Sequence, residues 1–251
     1  MTTKMWASWF LAYSCLACFG YAQQEKADEL IQQLKDSNPE VRYNAARELG
    51  LRKEARALEP LIASTKDSNA QVRAISVVAL AAIKDARAIP HIIATLHDPE
   101  ERVRSDAAGA LQGLNDQSAV QPLIGALKDN FWLVRSYAAS ALGKMKAVEA
   151  VEPLIAVLSG PSRMEGFLGD TDRQAAAEVL GEIGDPRAVG PLIRALQDKD
   201  WRMRHAAAKS LGDIGDPRAV GPLTEALKDR DQRVSSEAAA SLKRLNTGPG
   251  K

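Results

Sequence analysis

Apolar residues along this chain fall three and four apart rather than alternating, the spacing of one face of an α-helix. Two kinds of segment carry it, one like Met203-Arg204-His205-Ala206-Ala207-Ala208-Lys209-Ser210-Leu211 and one like Ala219-Val220-Gly221-Pro222-Leu223-Thr224-Glu225-Ala226-Leu227. They take turns on a fixed beat. Leu49, Leu80, Leu111 and Leu142 stand 31 residues apart, and the beat resumes at Leu180, Leu211 and Leu242. Arg42, Arg73, Arg104 and Arg135 keep the same step, followed by Arg173 and Arg204; the interval from Arg135 to Arg173 is 38, so seven residues enter once. The decapeptide IGDPRAVGPL occurs unchanged at Ile183 and at Ile214. A period of this size points to stacked supersecondary units, here seven, each of two helices. Asp216 followed by Pro217 supplies an N-cap and a proline at the first helical position, and Gly215 stands where a left-handed helix stop is wanted.

The second helix of each unit separates into two faces. With the residue before each arginine as position zero and about 100° per residue, the repeated apolar or small positions fall between about 0° and 140°, one buried stripe. The positions that differ most between copies, +2, +3, +6 and +10, fall between about 200° and 300°, on the opposite side. Divergence among internal copies thus collects on one exposed arc.

The Pro-Leu-Ile pattern of the first helix (Pro60, Pro122, Pro153 and Pro191 with the residues after them), the turn aspartates and the Val-Arg second helix resemble the HEAT repeat, in the compact 31-residue form found in phycobilin lyases and related bacterial proteins. The likeness covers essentially everything after Gln24. Glu29 stands in place of proline in the first unit, His91 with Pro90 one step early in the second, and Ser235 in place of arginine in the seventh. The resemblance implies an all-α solenoid whose second helices line a concave face. It also implies a hydrogen-bonded ladder of turn aspartates and arginines: Asp36, Arg42, Asp67, Arg73, Asp98, Arg104, Asp129, Arg135, Arg173, Asp198, Arg204 and Asp229. A guanidinium that leaves water must be paired, which gives the same assignment from physics: these charges are scaffold, not catalysts.

The aromatic residues point to a binding site. Six lie beyond the leader, Tyr43, Phe131, Trp132, Tyr137, Phe167 and Trp201, all on second helices or in the turns before them. Trp132 and Trp201 take equivalent places in units four and six, and Phe167 lies in the region that carries the insertion of unit five. Aromatic residues beside arginine anchor interfaces. The expected partner site is therefore the groove of units four to six: Trp132, Tyr137 and Lys144, an overhanging loop with Arg163 and Phe167, then Trp201, Arg202, His205 and Lys209. Glu178 and Glu182 add the opposite charge, which suits a peptide. A secondary patch is Tyr43, Asn44 and Arg47.

The N-terminus changes where this happens. Lys4 precedes an apolar run from Met5 to Phe19, too short for a full span, and Gly20-Tyr21-Ala22 has the small-x-small form that signal peptidase accepts. Export with cleavage after Ala22 is expected; retention as a membrane anchor, or lipidation at Cys15 or Cys18, is the alternative. Both cysteines lie in the leader, so the mature chain would hold no disulfide or thiolate. Removing Lys4 from 33 basic residues leaves 32 against 32 acidic ones, a balance that offers no general attraction for nucleic acid or anionic membrane. The expected layout is a signal peptide over 1–22, a solenoid over 23–245 with its insertion at about 159–169, and a tail over 246–251.

Catalytic signatures are scarce. No phosphate loop, nucleophile elbow or zinc pattern occurs. His91, His97 and His205 lack the adjacent glutamate that HEAT-like deoxyhypusine hydroxylases use for iron. No cofactor or metal is expected. The reading is an exported, monomeric, non-enzymatic scaffold for a protein or peptide. A lyase-type or chaperone-like accessory enzyme using the same groove, and a plain structural spacer, are the alternatives.

Overall fold

A computed structural model describes residues 24–161 and 171–247. The leader, Arg163 and Phe167 lie outside the described residues, as do the last four positions. Among the described residues all regular structure is helical. The chain is an all-α repeat protein of the solenoid class, divided into two compact units, Met1–Val103 and Arg104–Lys251.

The unit up to Val103 holds α1 (24–33), α2 (Pro39–Leu51), α3 (Leu58–Ser64), α4 (Ala70–Ile83) and α5 (Ile89–Ala94), and ends in the first turn of α6 (Glu101–Leu114). The other continues with α7 (Val120–Ala126), α8 (Trp132–Lys144), α9 (Val151–Ser159), α10 (Thr171–Ile183), α11 (Val189–Ala195), α12 (Trp201–Ile214), α13 (Val220–Ala226) and α14 (Gln232–Thr247). Short first helices alternate with longer second helices. The core is built from the fully buried leucines of the second helices, Leu49, Leu80, Leu111, Leu142, Leu180 and Leu211, together with the fully buried Leu61, Ile92, Leu123, Leu154, Leu192 and Leu223 of the first.

The starts of the first helices differ in detail from the sequence reading. Asp216 does cap, accepting from the Arg218 amide, but the helix it opens is a 3₁₀ turn, Pro217–Ala219, which then widens into α13. Asp85, Asp116 and Asp185 do the same for their units. The left-handed stop at Gly215 (φ 76°) has a counterpart at Gly184 (φ 79°), while Lys53, Lys84, Asn115 and Lys146 take positive φ without being glycine.

Glycine has a second use where helices touch. A Cβ on Gly50 would lie 2.7 Å from Cα and Cβ of Ala79, and one on Gly181 2.7 Å from Cβ and Oγ of Ser210. Neighbouring second helices therefore pack backbone to backbone at these crossings, closer than any side chain allows.

Candidate binding site

The turn before each second helix is built around one aspartate with two tasks. Asp67 Oδ1 accepts from the Asn69 amide, closing the turn, while both its oxygens accept from the Arg42 guanidinium at 2.7 Å. Arg42 in turn donates Nη1 to the carbonyl oxygens of Asp36 and Ser37 in its own turn. The motif recurs as Arg73 on Asp98 in the first unit. In the second it recurs as Arg104 on Asp129, Arg173 on Asp198 and Arg204 on Asp229. Asp36, at the first turn, accepts from the Asn38 amide.

The insertion alters one rung. Arg135, only 4% exposed, pairs through Nε with Asp172 at 2.7 Å, 37 residues away, where the other rungs span 25. Asp172 stands at the start of α10 rather than in a turn before it, and Arg173 donates its Nε to the Leu158 carbonyl. Asp172 was missed in the sequence because the 25-residue offset points elsewhere. The clue was an aspartate directly before an arginine where the other copies carry valine or methionine.

The electrostatics follow the pairing. Burial pushes the carboxyls of Asp67 and Asp129 up, but the Arg42 and Arg104 hydrogen bonds and the Asn69 and Phe131 amides outweigh it, leaving both below the usual carboxylate range. For Asp229 the Arg204 hydrogen bond dominates and also lowers it.

The aromatic candidates take different situations. Trp132 opens α8 with 37% of its surface exposed, its ring 6.2 Å from that of Phe131. Tyr137 is half-buried, with its ring over Gly109 of α6. Trp201 is not an open anchor: the Arg233 guanidinium lies 3.2 Å over its ring centroid, and Arg202 stands 5.1 Å away. Arg233 is itself held by both oxygens of Asp231, whose carboxyl this pairing lowers to about 2. His205 meets the Trp201 ring edge-on and stands 3.9 Å from Glu237, while Arg202 lies beside Asp200. Lys144 and Lys209 are exposed on their second helices; Glu178 accepts from Gln174, and the Glu182 carboxylate lies against Gly143.

Two hollows accompany these residues. A cleft of about 470 Å³ in the first unit is lined by Pro39, Glu40, Tyr43, Asn44, Asn69, Gln71 and Arg102, so it takes in Tyr43 and Asn44 of the secondary patch but not Arg47. A groove of about 430 Å³ in the second lies against the first helices, with Ile124, Leu127, Pro153, Ala156 and Val157 beside the Arg135 and Asp172 pair. The sequence did not mark it, because its residues sit on the repeated face. Among the described residues no helix is long and apolar enough to cross a membrane.

A family model for HEAT repeats matches residues 27–112, 89–164 and 170–243. No curated protein matches the sequence. Among solved structures, the complex of CpcE and CpcF of phycocyanin lyase from Nostoc sp. PCC7120 is similar at 23% identity and a TM-score of 0.54, over 87% of this chain and 94% of that one. YibA of Escherichia coli is similar at 23% identity and a TM-score of 0.65, over 88% and 82%. A chain from a structure of Kap95p with RanGDP shares 14% identity with a TM-score of 0.65, over 88% of this chain and 35% of its own. At these identities the likeness is one of fold.

Proposed function

The chain belongs to the HEAT-repeat family, and from that premise we propose that it is an exported scaffold that binds a protein or peptide partner along the exposed arcs of its second helices, the concave side in a solenoid of this kind. One observation carries the reading. Core leucines, turn aspartates and ladder arginines repeat from unit to unit, whereas the residues on the outer arc of each second helix differ. A spacer has no need of such variety, since every repeat could carry the same polar arc.

Within the second unit, the proposed contact surface is Trp132 with Tyr137, Lys144, His205 and Lys209. Trp201 supports it from within, stacked under Arg233. Exposed aromatic surface beside cations and the carboxylates of Glu178 and Glu182 suits a mixed-charge polypeptide better than a phosphate ligand. Export rests on the leader, with its apolar run from Met5 to Phe19 ahead of Ala22.

The test is capture from the exported fraction of the source cell, with wild type compared against a Trp132→Ala, Lys144→Glu, Lys209→Glu variant whose helicity is verified by circular dichroism. A partner retained by wild type and lost by the folded variant supports the reading. Equal retention removes this surface from consideration, and a coloured eluate replaces the scaffold with a chromophore-handling protein. N-terminal sequencing of the mature chain tests cleavage after Ala22.

A further inference from the structure

The cleft of about 470 Å³ in the first unit is built on the first two turns of successive second helices: Glu40, Tyr43 and Asn44 on α2, Asn69 and Gln71 at the start of α4, and Arg102 on α6. α2 and α4 meet backbone to backbone at Gly50 and Ala79, toward their C-terminal ends, and the hollow lies at the opposite ends of both. Its volume is that of a small-ligand site, for which about 300–1,000 Å³ is usual. The ladder holds the cleft in shape. Arg42 grips both oxygens of Asp67, Asp67 Oδ1 accepts from the Asn69 amide, and Asn69 Oδ1 accepts from the amides of Gln71 and Val72. Asn69 is thereby fixed with its side-chain NH₂ left to donate elsewhere, the preorganised donor that a binding site needs.

The turn aspartates and ladder arginines around the cleft are paired; its own polar side chains are not. Glu40, Tyr43, Asn44 and Gln71 make no side-chain hydrogen bond or ion pair among the described residues. Their chemistry selects a ligand. Pro39 is the one aliphatic residue of the lining, so an apolar peptide side chain finds no hole, and an anion meets Glu40. Amides both donate and accept, a carboxylate accepts from two neighbouring hydroxyls, and the half-buried Tyr43 ring offers a flat apolar face. A sugar has both halves of that match, a rim of hydroxyls and a face of C–H groups. No other repeat sets an aromatic ring beside an amide at these places: α4 has Ala74 and Ile75 where α2 has Tyr43 and Asn44.

We infer that this cleft binds a short neutral oligosaccharide, with one sugar ring against Tyr43 and its hydroxyls bonded to the amides of Asn44, Asn69 and Gln71 and to the Glu40 carboxylate. The cleft lies in the other unit from the surface proposed for a polypeptide partner, and the inference goes beyond the scaffold reading without depending on it.

The probes are maltotriose, cellotriose and chitotriose, measured against the full chain by isothermal titration calorimetry beside trigalacturonate and trialanine. At least one neutral trisaccharide should bind with a Kd of about 1 mM or tighter, and at least about ten-fold tighter than either control. Tyr43→Ala should weaken that sugar at least about five-fold, while Tyr43→Phe, which keeps the ring, stays within about three-fold of wild type. Helicity is verified by circular dichroism; if Tyr43→Ala fails to fold, the exposed Glu40→Gln and Gln71→Ala decide, and each should cost at least about three-fold. Weaker binding by all of the sugars, a control within about ten-fold of the best one, or folded variants with smaller losses than these overturns the inference. So does a Tyr43→Phe variant as weak as Tyr43→Ala, or loss of sugar binding through the Trp132→Ala, Lys144→Glu, Lys209→Glu variant; the scaffold reading stands or falls by its own capture experiment in either case.

Discussion

Replacing Asp172 by alanine isolates the rung of the ladder that the insertion rearranged. Arg135 and Asp172 form a nearly enclosed pair, with side chains only 5% and 9% exposed and an Nε to Oδ2 distance of 2.7 Å. Without Asp172, a guanidinium that cannot return to water loses the carboxylate that its Nε meets, and breaking a buried pair costs about 3–5 kcal/mol. Nη1 still donates to the carbonyls of Asp129 and Asn130 at 2.8 and 2.9 Å, so the lower end, about 3 kcal/mol, is expected. For a chain of this size that is a fall in Tm of about 6–12 °C by differential scanning calorimetry. The double replacement Arg135→Met with Asp172→Leu should regain all but about 1.5 kcal/mol, because it removes the buried guanidinium along with the carboxylate. The exposed pair Lys26 and Glu29 is the control, and Glu29→Ala should stay within about 0.5 kcal/mol. A loss below about 1 kcal/mol for Asp172→Ala, or a double variant no better than the single, would refute the reasoning.

Three further outcomes follow from the packing and the charges. Gly181→Ala should cost about 1–3 kcal/mol by forcing α10 and α12 apart at Ser210, whereas Gly125→Ala, exposed on α7 with open space around it, should gain up to about 1 kcal/mol in urea titrations; similar effects for both would count against the close crossing. Asp67, Asp129 and Asp229 have carboxyls lower in the folded chain than the ordinary value of 3.8, so each contributes stability above its unfolded value that is lost as the pH falls through the folded one. Thermal midpoints should thus fall below about pH 4, and less steeply in Asp67→Asn; a midpoint unchanged from about pH 4.5 to 2.5 would contradict this. Arg233→Ala should uncover Trp201, read as stronger acrylamide quenching where Trp201 is the only indole; unchanged quenching would mean the stack does not persist in solution.

The sequence by itself determined the period, the helix pairs and the core, because in a repeat protein these rest on local spacing and nearest-neighbour packing. Leu49 and Leu211 lie 162 residues apart yet meet the same surroundings, so one pattern read seven times is enough. Tertiary structure decided what breaks the copy. No offset in the sequence pairs Arg135 with Asp172, since the insertion changes which residue arrives beside the guanidinium. Trp201 read as an open anchor until Arg233, 32 positions on, came to lie over its ring, a choice made by side-chain competition across the α12 and α14 packing. The helix wheel marked an exposed arc on every second helix alike. Only the packing of α2 against α4 placed Tyr43, Asn69 and Gln71 around one cleft, because which side chains share a hollow depends on where their backbones meet and where they part.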